Sequence, residues 1–159
     1  MRPFPAVLAL AAGLAACSGG AKPVARDRLP DARLPTLAGI AGPSLASCPT
    51  DKCLTILVAP WCGVCRAEAP KLVELRHYLD RHGVSSRIVV GLSGDEAAIR
   101  KFAAVFGSDT LLDAGGVMHS RATPLMLVSD RKGRVLKVVE GFPEQVSGPK
   151  DLAKFLDLI

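Results

Sequence analysis

The stretch LTILVAPWCGVCRAEAP, residues 54–70, decides the fold of this chain. Its apolar part, residues 54–59, predicts a buried strand, and the pattern that follows predicts a helix over about residues 63–81. Cys62 and Cys65 therefore fall at a helix N-terminus, where unpaired backbone N–H groups and the helix dipole stabilise negative charge. A thiol in this position ionises more readily than a free thiol, which favours thiol–disulfide exchange.

The spacing of the two cysteines also fits such exchange. Two intervening residues place Cys65 one helical turn from Cys62, close enough to attack a mixed disulfide on Cys62 and release the substrate. We therefore assign Cys62 as the nucleophile and Cys65 as the resolving thiol. Two alternatives stay open: a module that binds or delivers copper or zinc, with Met118 or His119 as a further ligand, and an inert structural disulfide.

The composition indicates one globular domain. The chain has 159 residues, of which 49% are hydrophobic, enough for a sizeable core. Its formal net charge of +5 is a modest basic excess. It has one Trp, one Tyr and five Phe, and no basic stripe interleaved with aromatic residues, so nucleic acid has no support as a partner. We expect a monomer.

The N-terminus has the features of an export signal. Residues 4–16 form an uncharged run rich in Ala and Leu, too short to span a membrane as a mature helix. The run ends Leu14-Ala15-Ala16-Cys17, which resembles the lipobox of bacterial lipoproteins. The resemblance implies removal of residues 1–16 as a signal peptide and lipidation of Cys17, which would anchor the chain to the lipid bilayer of the bacterial cell envelope, facing the periplasm or another extracytoplasmic space. Ordinary secretion, with Cys17 as an odd thiol, is the alternative.

The rest of the chain alternates strand and helix patterns. Residues 17–28 are small and polar without periodicity, which predicts a flexible tether before a folded domain over residues 29–159. The predicted strands cover residues 54–59, 87–92, 124–128 and 134–140, with a short extended piece near 110–113. The predicted helices cover residues 63–81, a stretch from the N-cap Ser93 with Glu96 in a capping box to Gly107, and a last stretch that starts at Ser147-Gly148-Pro149. This order describes an α/β fold with a mixed central sheet and helices on both faces.

Several of these motifs together resemble the thioredoxin superfamily. They are the Trp-Cys-x-x-Cys segment at the strand-to-helix turn, Thr123-Pro124 at a later strand, the hairpin turn 130–133 and Gly141. The segment 61–70 is most similar to the extracytoplasmic TlpA-like branch of anchored thiol–disulfide oxidoreductases. The resemblance covers a core of about residues 48–159, and residues 29–39 are weakly similar to the N-terminal stretch of that branch.

The resemblance implies an activity and further site residues. It implies a protein-disulfide reductase of exported proteins, without an organic cofactor, that receives electrons from a separate membrane donor. It also implies a cis peptide bond between Thr123 and Pro124, where the backbone holds an extended substrate, with Trp61 shaping the surface around the sulfurs.

One departure from thioredoxin itself concerns proton transfer. Ile56 stands where thioredoxins commonly bury an aspartate, six residues before the attacking cysteine. The TlpA-like branch often has a glutamate three residues after the second cysteine, and Glu68 occupies that position. We therefore assign Glu68 as a candidate acid or base for the resolving thiol. The alternative is that Glu68 only complements the helix dipole.

A second cysteine pair, Cys48 and Cys53, encloses a segment that favours a turn, Pro-Thr-Asp-Lys. The exported setting permits a structural disulfide there, which would stabilise the fold by about 2 kcal/mol. Two other interpretations are a second redox pair that exchanges with Cys62–Cys65, and a zinc site formed by all four cysteines.

Overall fold

The computed structural model describes residues 27–159, so the predicted signal peptide and Cys17 lie outside the described residues. Seven strands and three helices follow one another there, and none of these helices is long and apolar enough to cross a membrane. The strands are β1 Arg33–Pro35, β2 Ala41–Ser44, β3 Lys52–Val58, β4 Ser85–Gly91, β5 Leu111–Asp113, β6 Leu125–Asp130 and β7 Val135–Glu140. The helices are α1 Gly63–Arg81, α2 Glu96–Ala103 and α3 Pro149–Phe155.

The central sheet has five strands in the order β5-β4-β3-β6-β7. Strand β3 pairs with β4 in parallel and with β6 antiparallel, so Ile56 lies opposite Ile88 on one side and Met126 on the other. Strand β5 continues the parallel half, and β7 continues the antiparallel half. The predicted α/β class and mixed sheet are confirmed.

All three helices cover one face of this sheet. Their buried side chains join one apolar cluster with alternate residues of the strands, among them Leu54, Ile56 and Val58 of β3. The opposite face packs against Leu29, Leu34 and Leu45 of the N-terminal segment and against Met118. The prediction of helices on both faces is therefore corrected, because an extended segment and a loop cover the second face.

The N-terminal segment is tied to both edges of the sheet. Strands β1 and β2 form a small antiparallel pair, and Thr36 bridges to Leu111 at the β5 edge. At the other edge Arg28 bridges to Arg134, and the carbonyl of Asp27 accepts from Val135 N–H. Pairing with the sheet thus already begins within the last two residues of the segment predicted as a tether.

Helix α1 has the predicted bounds, but α2 does not. Its N-cap is Asp95, whose carboxylate accepts from Ala98 N–H at 3.0 Å. Ser93, the predicted N-cap, accepts from Asp95 N–H instead and so shapes the turn before the helix. Ser93 and Asp95 are both residue types that favour the N-cap position. Asp95 has the extended backbone angles of an N-cap, and its carboxylate reaches the N–H of Ala98, three residues later. The helix also ends at Ala103, before Gly107.

Arg87 anchors the segment that leads into β3. It is 7% exposed, and its guanidinium donates to the backbone carbonyls of Ser44, at 2.7 Å, and Leu45, at 3.3 Å, and also to that of Ser47. Burial lowers the pKa of Arg87, yet a guanidinium stays protonated in proteins. The buried cation thus donates to three carbonyls: those of Leu45 and Ser47 have no other donor among the described contacts, whereas that of Ser44 also accepts from Ser47 N–H.

We expect Arg87→Met to lower the free energy of unfolding by about 2–4 kcal/mol, because it leaves the carbonyls of Leu45 and Ser47 without a donor and removes one of two donors from that of Ser44. Urea denaturation followed by circular dichroism measures this change. The matched control is Arg131→Met, since Arg131 pairs at 2.9 Å with Asp51 and both side chains are exposed. The control should change stability by less than about 0.5 kcal/mol. Equal small losses in both variants would contradict an anchoring role for Arg87.

Candidate functional site

The two cysteines lie where β3 ends and α1 begins. Cys62 is the N-cap of α1 with extended backbone angles, and its sulfur accepts from Cys65 N–H at 3.0 Å. The first helical turn contains no acidic residue. The helix therefore directs an N–H group and its positive dipole end at the Cys62 sulfur, an arrangement that stabilises a thiolate there.

The structure holds Cys62 and Cys65 as a disulfide, with Cα atoms 5.2 Å apart. Cys62 is 5% exposed and Cys65 is fully buried. Of the two sulfurs, that of Cys62 is therefore the one that solvent and a substrate can reach. This asymmetry fits the assignment of Cys62 as nucleophile and Cys65 as resolving thiol, which stays a prediction.

Thr123, which precedes Pro124, contacts both sulfurs. The peptide bond between Thr123 and Pro124 is cis, as the family resemblance implied. The Cys62 sulfur lies 3.4 Å from the carbonyl oxygen of Thr123, and the Cys65 sulfur lies 3.2 Å from the Thr123 hydroxyl. The structure thus brings together three of the predicted site positions from chain segments about 60 residues apart.

Two exposed apolar side chains border the disulfide. Trp61 is 60% exposed and Val64 is 50% exposed. The indole N–H of Trp61 donates to the Leu92 carbonyl at 2.6 Å, so the ring is fixed although it faces solvent. Leu92 itself has a positive φ of 58°, which orients that carbonyl at the end of β4. A rigid apolar rim next to a sulfur pair is suited to contact with an unfolded or extended chain.

The loop before Thr123 is held by Asp113, which the sequence analysis did not single out. This carboxylate is 1% exposed and accepts from the N–H groups of Val117, at 2.7 Å, and Met118, at 2.6 Å. An Asp followed by Gly115-Gly116 is a common signal for a loop closed by a side chain, and this signal was present in the sequence.

Glu68 has a nearer partner than the sulfurs. One of its carboxylate oxygens lies 2.7 Å from the Lys71 ammonium, and the contacts of residues 27–159 include no hydrogen bond from Glu68 to Cys65. Ile56 is fully buried in the main apolar cluster. Neither position supplies a group in direct contact with the resolving sulfur, so the role of Glu68 in proton transfer stays a prediction.

The further ligands of the metal alternative do not converge on the cysteines. Met118 is buried in the apolar cluster on the second face of the sheet, whereas His119 is exposed. Within the described part of the chain, no group of three or more His, Cys, Asp or Glu side chains is arranged to hold a metal ion.

The second cysteine pair lies at the other end of β3. Cys48 and Cys53 form a disulfide with Cα atoms 5.6 Å apart, and both residues are buried. From Cys53 to the end of β3 at Val58 the strand rises about 17 Å. This separation rules out a zinc site formed by all four cysteines, and it rules out direct exchange between the two pairs of one molecule.

Solved thiol–disulfide oxidoreductases have a similar fold. The exposed lipoprotein thioredoxin Etrx1 of Streptococcus pneumoniae is 21% identical, with a TM-score of 0.63, over 82% of this chain and 100% of that chain. A secreted Mycobacterium tuberculosis disulfide oxidoreductase homologous to E. coli DsbE is 18% identical, with a TM-score of 0.61, over 81% and 96%. A thiol:disulfide interchange protein of the thioredoxin family from Chlorobium tepidum is 16% identical, with a TM-score of 0.60, over 82% and 94%.

At these identities the likeness establishes the fold, and the predicted thioredoxin-like fold is confirmed. No family model matches the sequence, and no curated protein matches it.

The double variant Cys48→Ser/Cys53→Ser tests whether the second pair is structural. We expect it to lower the free energy of unfolding by about 2 kcal/mol, because opening a short loop releases entropy to the unfolded chain. Its disulfide-exchange rate should equal that of the wild type. The comparison variant Cys62→Ser/Cys65→Ser should lose exchange altogether. A stable Cys48→Ser/Cys53→Ser protein with a reduced exchange rate would contradict a purely structural role of the second pair.

Proposed function

We propose that this protein is a thiol–disulfide oxidoreductase that reduces disulfides of exported proteins. The observation that carries the proposal is the N-cap position of Cys62, whose sulfur receives the Cys65 N–H at 3.0 Å and is the more accessible of the pair. Cys62 attacks a substrate disulfide, and a mixed disulfide forms. Cys65 then attacks Cys62, which releases the reduced substrate and leaves the Cys62–Cys65 disulfide.

The backbone at Thr123-Pro124 and the rim of Trp61 and Val64 are the proposed substrate surface. Pro124 is buried, while Trp61 and Val64 are half exposed or more. An extended peptide placed along this rim would present its disulfide to Cys62. Substrates are therefore proteins that carry cysteines in an accessible, extended segment.

The cellular setting of the proposal comes from the N-terminal sequence. The lipobox-like segment that ends at Cys17 supports a lipid anchor in the bacterial cell envelope, with the domain on the extracytoplasmic side. Each turnover oxidises the cysteine pair by two electrons, so a separate membrane protein has to return two electrons to Cys62–Cys65. Resemblance to the TlpA-like branch favours the reductive direction.

The two cysteine variants distinguish this function from its alternatives. We expect the reduced wild-type protein to reduce a model protein disulfide, Cys62→Ser to be inactive, and Cys65→Ser to accumulate a covalent mixed disulfide with the substrate. Non-reducing gels and mass spectrometry detect that adduct. The control Cys48→Ser/Cys53→Ser should leave trapping unchanged.

An inert disulfide would give no adduct and no reduction. Stoichiometric copper or zinc in the reduced protein, without reductase activity, would favour the metal-binding alternative.

Glu68 is proposed to exchange a proton with Cys65 during resolution. Its carboxylate lies one helical turn beyond Cys65 and pairs with Lys71 at 2.7 Å. We expect Glu68→Gln to slow resolution of the mixed disulfide about tenfold or more at neutral pH. Stopped-flow measurement of substrate release gives this rate. Lys71→Met is the matched control, because it breaks the same ion pair but keeps the carboxylate. If both variants slow resolution equally, the effect of Glu68 comes from its ion pair with Lys71 and not from proton transfer.

A further inference from the structure

The Thr123 hydroxyl contacts the Cys65 sulfur, whereas the N–H donor at the helix N-terminus bonds to the Cys62 sulfur. Cys65 N–H donates to the Cys62 sulfur, whereas the Cys65 sulfur lies 3.2 Å from Thr123 Oγ1. In the disulfide the Cys65 sulfur carries no proton, so only the hydroxyl can donate in this contact, and the carbonyl oxygen of Leu57, 3.4 Å away, competes for its single proton. Each sulfur of the pair therefore lies within reach of a donor group of its own, the Cys65 N–H of the helix for Cys62 and the Thr123 hydroxyl for Cys65.

No other polar side chain of the described residues is in hydrogen-bond contact with the Cys65 sulfur. Ile56 is apolar, and the Glu68 carboxylate is paired with Lys71. Cys65 is fully buried, so water cannot replace a missing donor at its sulfur. An unsolvated thiolate without a donor is costly, since a buried charge needs a hydrogen bond or a counter-charge.

The hydroxyl has a second contact that lets it serve both forms of Cys65. Thr123 Oγ1 also lies 3.4 Å from the carbonyl oxygen of Leu57. When Cys65 is a thiol, its S–H donates to Thr123 Oγ1, and the hydroxyl proton points to Leu57. When Cys65 is a thiolate, the hydroxyl rotates and donates to the sulfur. Rotation of the Thr123 hydroxyl about its C–O bond thus adapts the hydrogen bond to the charge of Cys65.

We propose that Thr123 is a catalytic residue of the resolving step, in which its hydroxyl stabilises the Cys65 thiolate. This proposal rests on the proposed function. In the step the Cys65 sulfur attacks Cys62, the bond between Cys62 and the substrate breaks, and the Cys62–Cys65 bond forms. Over the two steps of the cycle the cysteine pair is oxidised by two electrons and the substrate disulfide is reduced by two; in the resolving step the proton lost by Cys65 ends on the leaving substrate thiolate.

The substitution Thr123→Val removes the hydroxyl and keeps the shape of the side chain. We expect it to slow resolution about tenfold, the value of a hydrogen bond to a charged group, and to leave formation of the mixed disulfide on Cys62 nearly unchanged. The pH at which resolution reaches half its maximal rate should move upward by about one unit. Thr123→Ser should restore the wild-type rate and pH profile.

Thr55→Val is the matched control, because it makes the same replacement at a buried hydroxyl that has no hydrogen-bond partner among the described contacts. It should leave resolution unchanged. Thermal denaturation checks that each variant is folded. If Thr123→Val is unstable, Thr123→Ala serves as the variant without a hydroxyl. A folded Thr123→Ser protein that resolves about tenfold more slowly than the wild type would overturn the proposal.

A measurement without turnover separates this proposal from the proposed function. In Cys62→Ser protein, the thiolate absorbance of Cys65 is titrated with and without Thr123→Val, in the presence of intact Cys48–Cys53. A titration midpoint raised by about one unit in the double variant supports the contact even if the wild type reduces no disulfide. An unchanged midpoint refutes the role of Thr123 even if the wild type is an active reductase.

Discussion

The fold depends on the complete enclosure of strand β3. Residues 53–58 are fully buried or nearly so, and the strand is paired on one side with β4 and on the other with β6. Because it is hydrogen bonded along both edges and packed on both faces, its C-terminal end has a fixed position. Cys62 follows that end by four residues, so the position of the reactive sulfur is determined by a strand that is paired along both edges and buried on both faces.

The parts of the fold that the sequence predicted are those determined by local signals. The apolar run of β3, the 3.6-residue periodicity of α1 and the Gly148-Pro149 start of α3 each depend on neighbouring residues, and each element is present. Where two local signals competed, at Ser93 and Asp95, the prediction was wrong. The covering of the second sheet face was also wrong, because short extended segments have no periodicity that distinguishes them from loops.

The site was predictable in its residues but not in its contacts. The spacing of Cys62 and Cys65 and the family resemblance of Thr123-Pro124 identified the participants. The hydrogen bond between Thr123 and Cys65 joins residues 58 positions apart, and Arg87 reaches carbonyls about 40 positions away. Such contacts follow from the path of the whole chain. These long-range contacts therefore cannot be predicted from composition or from the spacing of residues.

The N-terminal segment has a consequence for where this domain begins. Leu29, Leu34 and Leu45 are at most 5% exposed and cover an apolar sheet face that no helix of residues 27–159 reaches. Burial of each leucine is worth about 2 kcal/mol, so a chain that started at Cys48 would expose a surface whose cost is comparable with the whole stability of a small domain. The core of the family resemblance, residues 48–159, therefore lacks the three leucines that cover this face of the sheet.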